Sequence, residues 1–226
     1  MVMRTLGFAL ALIGLCSVAS ATRLTFNQVN GTVVSATDLV SSPNYGHRVT
    51  ATTMGNWTYG AEGGFTPNVT VAYRAQNPSG TFPGLSVWGT GYGNLANTVW
   101  SGSFSNAVPN DGYVTLTADA GFQVSLHSFR TALWSTGPAQ YTDISVRDGL
   151  GNVLYSTNAA NPVGGNVLHD FTSSPLTAQQ LEIKFGQGWW IALDDVTYSQ
   201  AVPEPGTMLV LGAGLVALAR RRRATK

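Results

Sequence analysis

Apolar residues follow three different patterns along the 226-residue chain. Near the start, Arg4 precedes an unbroken apolar stretch from Leu6 to Leu15, and the small residues Ala19-Ser20-Ala21 follow it. A basic start, a short apolar centre and a small-residue exit predict a signal helix over residues 1–21, cut by signal peptidase between Ala21 and Thr22. Ten apolar residues make only about 15 Å of helix, half a bilayer core, so a permanent anchor is the poorer reading. Near the end, the apolar run Thr207–Ala219 predicts a short transmembrane helix of about 20 Å. Arg220, Arg221, Arg222 and Arg223 stop it and mark its cytoplasmic side, and their snorkelling offsets the short length. Ahead of that run, Pro203 and Pro205 flank Glu204 within Val202–Gly206, and two prolines so close forbid regular helix. The tail, 201–226, is therefore a unit separate from what precedes it.

Residues 22–200 show no sustained helical period. Short β-rich runs alternate there with Gly, Pro, Asn and Ser clusters, and strands are predicted at 24–29, 48–53, 69–74, 113–117, 122–129, 144–147, 153–156, 181–185 and 190–198. Asp148, Gly149, Gly151 and Asn152 supply turn chemistry between two alternating runs, which predicts a β-hairpin across 141–156. Regular spacing without an internal repeat predicts an all-β fold: an antiparallel β-sandwich or jelly roll.

Composition narrows the chemistry. The single cysteine, Cys16, lies inside the signal segment behind Leu15, a poor context for lipidation. A mature chain without cysteine has no disulfides, thiolate metal sites or cysteine nucleophile. The formal charge of +1 hides an asymmetry, since between Thr22 and Pro205 six basic residues stand against eleven acidic ones, a formal −5. That balance excludes a nucleic-acid partner.

The proline triplet Pro203-Glu204-Pro205, the glycine-interrupted apolar helix and the Arg220–Arg223 block closely resemble the PEP-CTERM sorting signal, a tail also known as an ice-binding protein C-terminal domain. The resemblance covers about the last 25 residues. It implies an exosortase as partner, a membrane transpeptidase-like enzyme of diderm bacteria that make exopolysaccharide. It also implies export through the inner membrane, transient anchoring, and removal of the tail near the triplet to leave a surface or extracellular protein.

The order of the second half, a strand at 122–129, the Gly149 hairpin, 181–185 and a final Trp-Ile-Ala-Leu-Asp-Asp-Val-Thr-Tyr strand, resembles the galactose-binding-like jelly rolls of carbohydrate-binding modules. Strand alternation places Asp194 and Asp195 on opposite faces, with Asp194 sharing the buried face if Ala192, Val196 and Tyr198 point inward. In the resembling jelly rolls an acid at this place often ligates a structural calcium, for which Asp38 and Asn27 are the candidate partners here. The alternative is an Asp194 carboxylate satisfied by backbone N–H groups without metal.

Flat aromatic faces are numerous: Trp57, Tyr59, Trp88, Tyr92, Trp100, Trp134, Trp189 and Trp190. Exposed rings stack on sugar C–H faces, and core packing is the competing fate of each. Trp88 and Tyr92, in the glycine-rich loop 86–94, are the preferred glycan-binding pair because such a loop faces solvent; Trp189 and Trp190 are the second pair. His47, His127 and His169 have no metal-ligand spacing, no G-x-S-x-G elbow occurs, and threonine arrays suited to ice are absent. A carboxylate pair meeting only in space stays open. The expectation is a non-enzymatic surface or exopolysaccharide-matrix protein whose β domain binds glycan, with a ligand-free envelope component and a secreted polysaccharide hydrolase as rivals.

Overall fold

A computed structural model of the chain describes residues 21–29, 39–40, 45–62, 64–102, 110–134, 143–158, 164–186 and 190–202. The signal helix with Ala19, the sorting residues Pro203 to Gly206, the 207–219 helix, the four terminal arginines, Asp38 and Trp189 lie outside these residues. Among the described residues no helix is long and apolar enough to cross a membrane.

The described residues form sixteen strands: β1 (Ala21–Gln28), β2 (Leu39–Val40), β3 (Thr53–Met54), β4 (Trp57–Glu62), β5 (Val69–Asn77), β6 (Gly80–Pro83), β7 (Leu85–Trp88), β8 (Thr98–Trp100), β9 (Asp111–Ala118), β10 (Gln123–Leu133), β11 (Ile144–Asp148), β12 (Val153–Thr157), β13 (Asn166–Asp170), β14 (Leu176–Ala178), β15 (Gln180–Phe185) and β16 (Ile191–Ala201). Every pairing between them is antiparallel. One sheet runs β13-β10-β16-β8-β7-β2, with β14 also on β10; the second runs β12-β11-β15-β9-β5-β6; β1, β4 and β3 make a smaller third.

The second sheet follows simple alternation. In β5, β9 and β15 every other residue is buried, because one face meets the core and the other meets water. Val71, Tyr73, Val114, Leu116, Leu181 and Ile183 from this sheet join Leu126, Phe129, Leu133, Leu193, Val196 and Tyr198 from the first in one hydrophobic cluster, which makes the pair a β-sandwich. Each such side chain, fully buried, contributes roughly 1.5–3 kcal/mol before entropy is subtracted.

β1 and β4 are tied to this core by tyrosine hydroxyls. Tyr45 accepts the Phe26 N–H (2.7 Å), Tyr59 accepts the Gly46 N–H (2.9 Å), and Tyr198 donates to the Gly46 carbonyl (3.3 Å). Gly46, with φ of +72°, has no room for a side chain, since a Cβ would stand 2.9 Å from the Tyr73 hydroxyl.

The hairpin across β11 and β12 forms as expected, with Asp148 accepting the N–H groups of Leu150 and Asn152, both at 2.9 Å. The strand expected at 48–53 does not form. Arg48 sits at φ +52° and is held by two bonds to Asp119 (2.6 and 2.8 Å), so this stretch turns; Val49 makes only an isolated bridge to Thr66, and pairing resumes at Thr53–Met54.

Candidate functional site

Residues directly opposite in antiparallel strands share a face. Reading the register across the first sheet gives one row: Asn166 on β13, Ala132 on β10, Ala192 on β16, Trp100 on β8 and Ser86 on β7. Their chain neighbours Leu133, Ile191, Leu193, Val99 and Val87 are fully buried in the core. The row therefore lies on the outer face, and its two alanines make a low floor.

Aromatic rings stand on that floor. Trp88, Trp100 and Trp134 are half-buried and pack with Tyr92 around Ala132 and Ala192. The rings meet edge to face: Trp88 with Trp100 at 6.3 Å, Trp88 with Trp134 at 5.5 Å and Tyr92 with Trp134 at 5.1 Å between centroids. Such contacts add about 0.5–1.5 kcal/mol each to the burial term and fix ring orientation. Beneath them, Trp100 Nε1 and Thr98 Oγ1 are buried and make no hydrogen bond.

The β7–β8 loop closes one side of the cluster. Gly93 N–H donates to the Leu133 carbonyl at 2.9 Å, and Tyr92 bridges to Trp134. Only glycine fits here, because a Cβ on Gly93 would lie 2.0 Å from the Gly165 carbonyl oxygen and one on Gly91 2.6 Å from the Trp134 ring. The glycines thus fold the loop back onto the sheet instead of holding it out. This corrects the expectation of an exposed Tyr92: its ring is 2% exposed, and burial pushes its phenol upward. Trp88 is in the cluster as one of its half-buried rings. Trp190 touches the cluster through its backbone, its carbonyl accepting the Trp134 N–H at 2.9 Å, while its side chain packs against the sandwich core. Trp100 and Trp134, not singled out from sequence, are the partners of Trp88; the signal for them is register, which pairs Trp100 with Ser86 and Ala192.

The next residues of the same face are polar. Arg130 lies opposite Leu168 on β13 and Asp194 on β16, where the register shifts in a bulge and Asp195 adopts φ of +51°. The bulge breaks the alternation assumed for this strand. Ala192 belongs to the outer face, while Val196 and Tyr198 are in the core. Asp194 is buried at the bulge, and its Oδ1 accepts the Asp195 N–H at 2.7 Å. Burial, reinforced by the neighbouring Asp195 charge, pushes the Asp194 carboxyl well above its usual range.

Asp195 faces outward into a groove of about 180 Å³ lined by Arg23, Arg130, Asp170, Thr172 and Thr197 among others. Arg130 Nε lies 3.4 Å and Arg23 Nε 3.8 Å from its carboxylate oxygens. From Arg130 a line of hydrogen bonds leads back to the rings: Nη1 donates to Asn166 Oδ1 (2.6 Å), and Asn166 Nδ2 donates to Asn94 Oδ1 (2.6 Å), beside Gly93. Asp170 Oδ1 accepts both the N–H and the hydroxyl of Thr172 (2.8 and 2.6 Å), which hold its carboxyl below the ordinary value.

Asn27, the proposed calcium partner, accepts from Asn97 Nδ2 at 2.5 Å. Among the described residues no three His, Cys, Asp or Glu side chains converge as a metal site. His169 is buried between the sheets, stacked on Phe129 at 4.5 Å, with Nε2 2.9 Å from Thr131 Oγ1 and Nδ1 3.0 Å from Tyr155 Oη. His127 bonds Ser199 at 2.8 Å through Nε2.

Comparison with known proteins gives little for the β-sandwich. Solved structures include the enzymatically active domain of bacteriophage CBA120 tailspike protein 4, 17% identical over 59% of this chain and 19% of that one, with a TM-score of 0.29. Another is the isomalto-dextranase of Arthrobacter globiformis T6 complexed with panose, 12% identical over 65% of this chain and 28% of that one, at 0.30. The chain spans less than a third of either, and overlaps this loose say nothing of shared topology or ligand. No curated protein matches the sequence. The tail is different: from the last residue of β16 onward, residues 201–223 match the PEP-CTERM protein-sorting motif, and the chain thus carries the sorting signal of an exported, exosortase-processed protein.

Proposed function

We propose that this exported protein is a non-catalytic glycan binder of the cell surface or exopolysaccharide matrix, acting through the outer face built on Trp88, Trp100 and Trp134. The observation that carries the reading is the cluster of three half-buried tryptophans on an alanine floor, bordered by the Asn94–Asn166–Arg130 polar line. Aromatic faces beside hydrogen-bonding groups are the chemistry that a sugar ring, apolar on its faces and hydroxylated at its rim, recognises. A sugar covering roughly 60 Å² of one indole contributes about 1.5 kcal/mol at ~25 cal/mol per Å². One ring alone gives weak binding, and several rings along a polymer multiply it. Within this reading the sandwich is the jelly roll of a carbohydrate-binding module.

The test is co-sedimentation of the protein with the exopolysaccharide of its own host. Trp88→Ala should weaken retention about tenfold; because it also removes the ring contacts to Trp100 and Trp134 and so lowers the melting temperature, retention is measured well below the variant's own melting transition. Trp190→Ala, which truncates a side chain packed on the sandwich core and keeps the backbone bond to Trp134, should leave retention unchanged. Equal retention of the parent and Trp88→Ala, or none by the parent, would favour a ligand-free envelope component.

A further inference from the structure

We infer that the groove between β10, β13 and β16, lined by Arg23, Arg130, Asp170, Thr172, Asp195 and Thr197, is a second subsite of the same face and takes the adjacent hydroxyls of an uncharged sugar. The inference rests on the tryptophan reading for its ligand class, and deepens it by naming where the chain of sugars runs and which charge it carries.

Three observations converge on the groove. The first is continuity. Ala132, under the rings, and Ser128, in the groove, are four residues apart on β10, about 13 Å at ~3.3 Å per residue. The hydrogen-bonded line Asn94–Asn166–Arg130 fills the space between them without a break in the face. The second is strain. Asp195 is an L-residue at φ +51° within a strand, a conformation that costs of order 1–3 kcal/mol and turns its carboxylate into the groove instead of along the regular pleat. The third is preorganisation. Asp195 is braced by Arg130 and Arg23, and Asp170 by the N–H and hydroxyl of Thr172, so both carboxylates are oriented before any ligand arrives.

The donor set selects the ligand's charge. Carboxylate oxygens accept from sugar hydroxyls and guanidinium groups donate to them, so a pair of adjacent hydroxyls can bridge the two. The two arginines and two aspartates of the groove balance, and the span from Thr22 to Pro205 carries a formal −5. A uronic acid would bring its own carboxylate against Asp170 and Asp195. The same bracing argues for binding over hydrolysis. A glycosidase general acid must be kept protonated, whereas the Thr172 N–H and hydroxyl hold the Asp170 carboxyl below its ordinary value.

The full-length chain in detergent, titrated calorimetrically with gluco-, galacto- and manno-oligosaccharides of two to eight units and with uronic-acid oligomers of the same lengths, tests this. Affinity for a neutral series should rise at least tenfold once the oligomer is long enough to reach from the rings to the groove. Asp195→Asn should remove that rise while short oligomers bind as before. Asp170→Asn, at the exposed end of β13, should do the same without disturbing the bulge, and so separates lost contacts from misfolding. A length-independent affinity, or a rise that survives both variants, overturns the subsite and leaves the tryptophan platform standing. Tighter binding of uronic oligomers overturns the neutral class, and release of reducing ends overturns the non-catalytic assignment. Absence of binding by every oligomer, with Trp88→Ala silent, overturns the platform and the subsite together.

Discussion

Replacing His169 by Gln should flatten the pH dependence of stability between neutrality and pH 5. The imidazole is 4% exposed, and burial lowers its pKa to about 4 from the usual value near 6.5. Between those two values the unfolded chain binds a proton that the native protein does not. Stability is therefore complete above about pH 6.5 and falls as the pH drops toward 4. Linkage gives a loss of about 2 kcal/mol between pH 7.5 and 5, and about 3 kcal/mol across the whole window. The structural reason is that His169, on β13, joins Thr131 of the first sheet to Tyr155 of the second and rests on Phe129, so a charge there would be desolvated without a carboxylate partner. Asp194 works in the opposite sense, because its raised pKa lets the native state keep a proton that the unfolded chain loses, and His127, also lowered, works in the same sense as His169. Both backgrounds cancel in a difference between parent and variant. Urea unfolding at the two pH values should show the parent losing about 2 kcal/mol more than His169→Gln, whose amide can still meet both hydroxyls. Parallel losses would refute the reasoning and assign the pH dependence to the other groups.

Three further outcomes are expected. Asp194→Asn should raise the melting temperature at pH 7.5, because the amide oxygen can still accept the Asp195 N–H and the buried charge is gone; chelation should then leave the parent unchanged, whereas a chelator-induced drop absent from the variant would establish a calcium at Asp194. In the native host, Glu204→Ala should leave a longer, membrane-retained precursor, detected by immunoblot of membrane fractions, while deletion from Val202 onward should give a secreted domain with an unchanged melting temperature, since the last pair of β16, Ala201 with Gln123, is kept. Mass spectrometry of the exported protein should find Thr22 as the first residue. Thr22 is fully buried and accepts from the Thr66 hydroxyl at 3.0 Å, so trimming beyond it would cost the domain that contact as well.

Strands were legible where a single physical cause wrote them. β5, β9 and β15 each bury one face and wet the other, so their apolar residues alternate. β4 hides because Gly60 interrupts it, β6 because it ends in Pro83, and β7 and β8 because they flank a run of glycines. β10 and β16 bury parts of both faces, so alternation does not assign faces, and the bulge at Asp194–Asp195 changes them midway. The aromatic residues of the site were visible as composition, and one of the two preferred rings is in fact covered. Which rings meet depends on pairing β10 with β16 and β16 with β8, partners separated by some sixty to ninety residues, and no local pattern encodes that. The groove was illegible for the same reason, since it collects Arg23, Arg130, Asp170 and Asp195 from four strands. The sorting motif at 201–223 was legible because its signal is contiguous in sequence.

The point at which the sorting motif begins is far along β16 from the rings. β16 begins beside the tryptophans, with Ala192 in their floor, and ends at Ala201, where the sorting motif starts. Its eleven residues separate those ends by about 30 Å of strand held against β10. The amino-terminal strand leaves from the same end as the tail, because Thr66 contacts Thr22 and Asn68 N–H donates to the Gln200 side chain at 2.9 Å. Thr22 and Ala201 thus both lie at the end of the sandwich opposite the aromatic face. The aromatic face lies at the opposite end of β16 from Ala201, where the sorting motif begins. The Pro203-Glu204-Pro205 triplet lies beyond the last residue of β16, so a cut there would remove none of that strand. In the proposed reading, therefore, the glycan face does not depend on whether the tail is still attached.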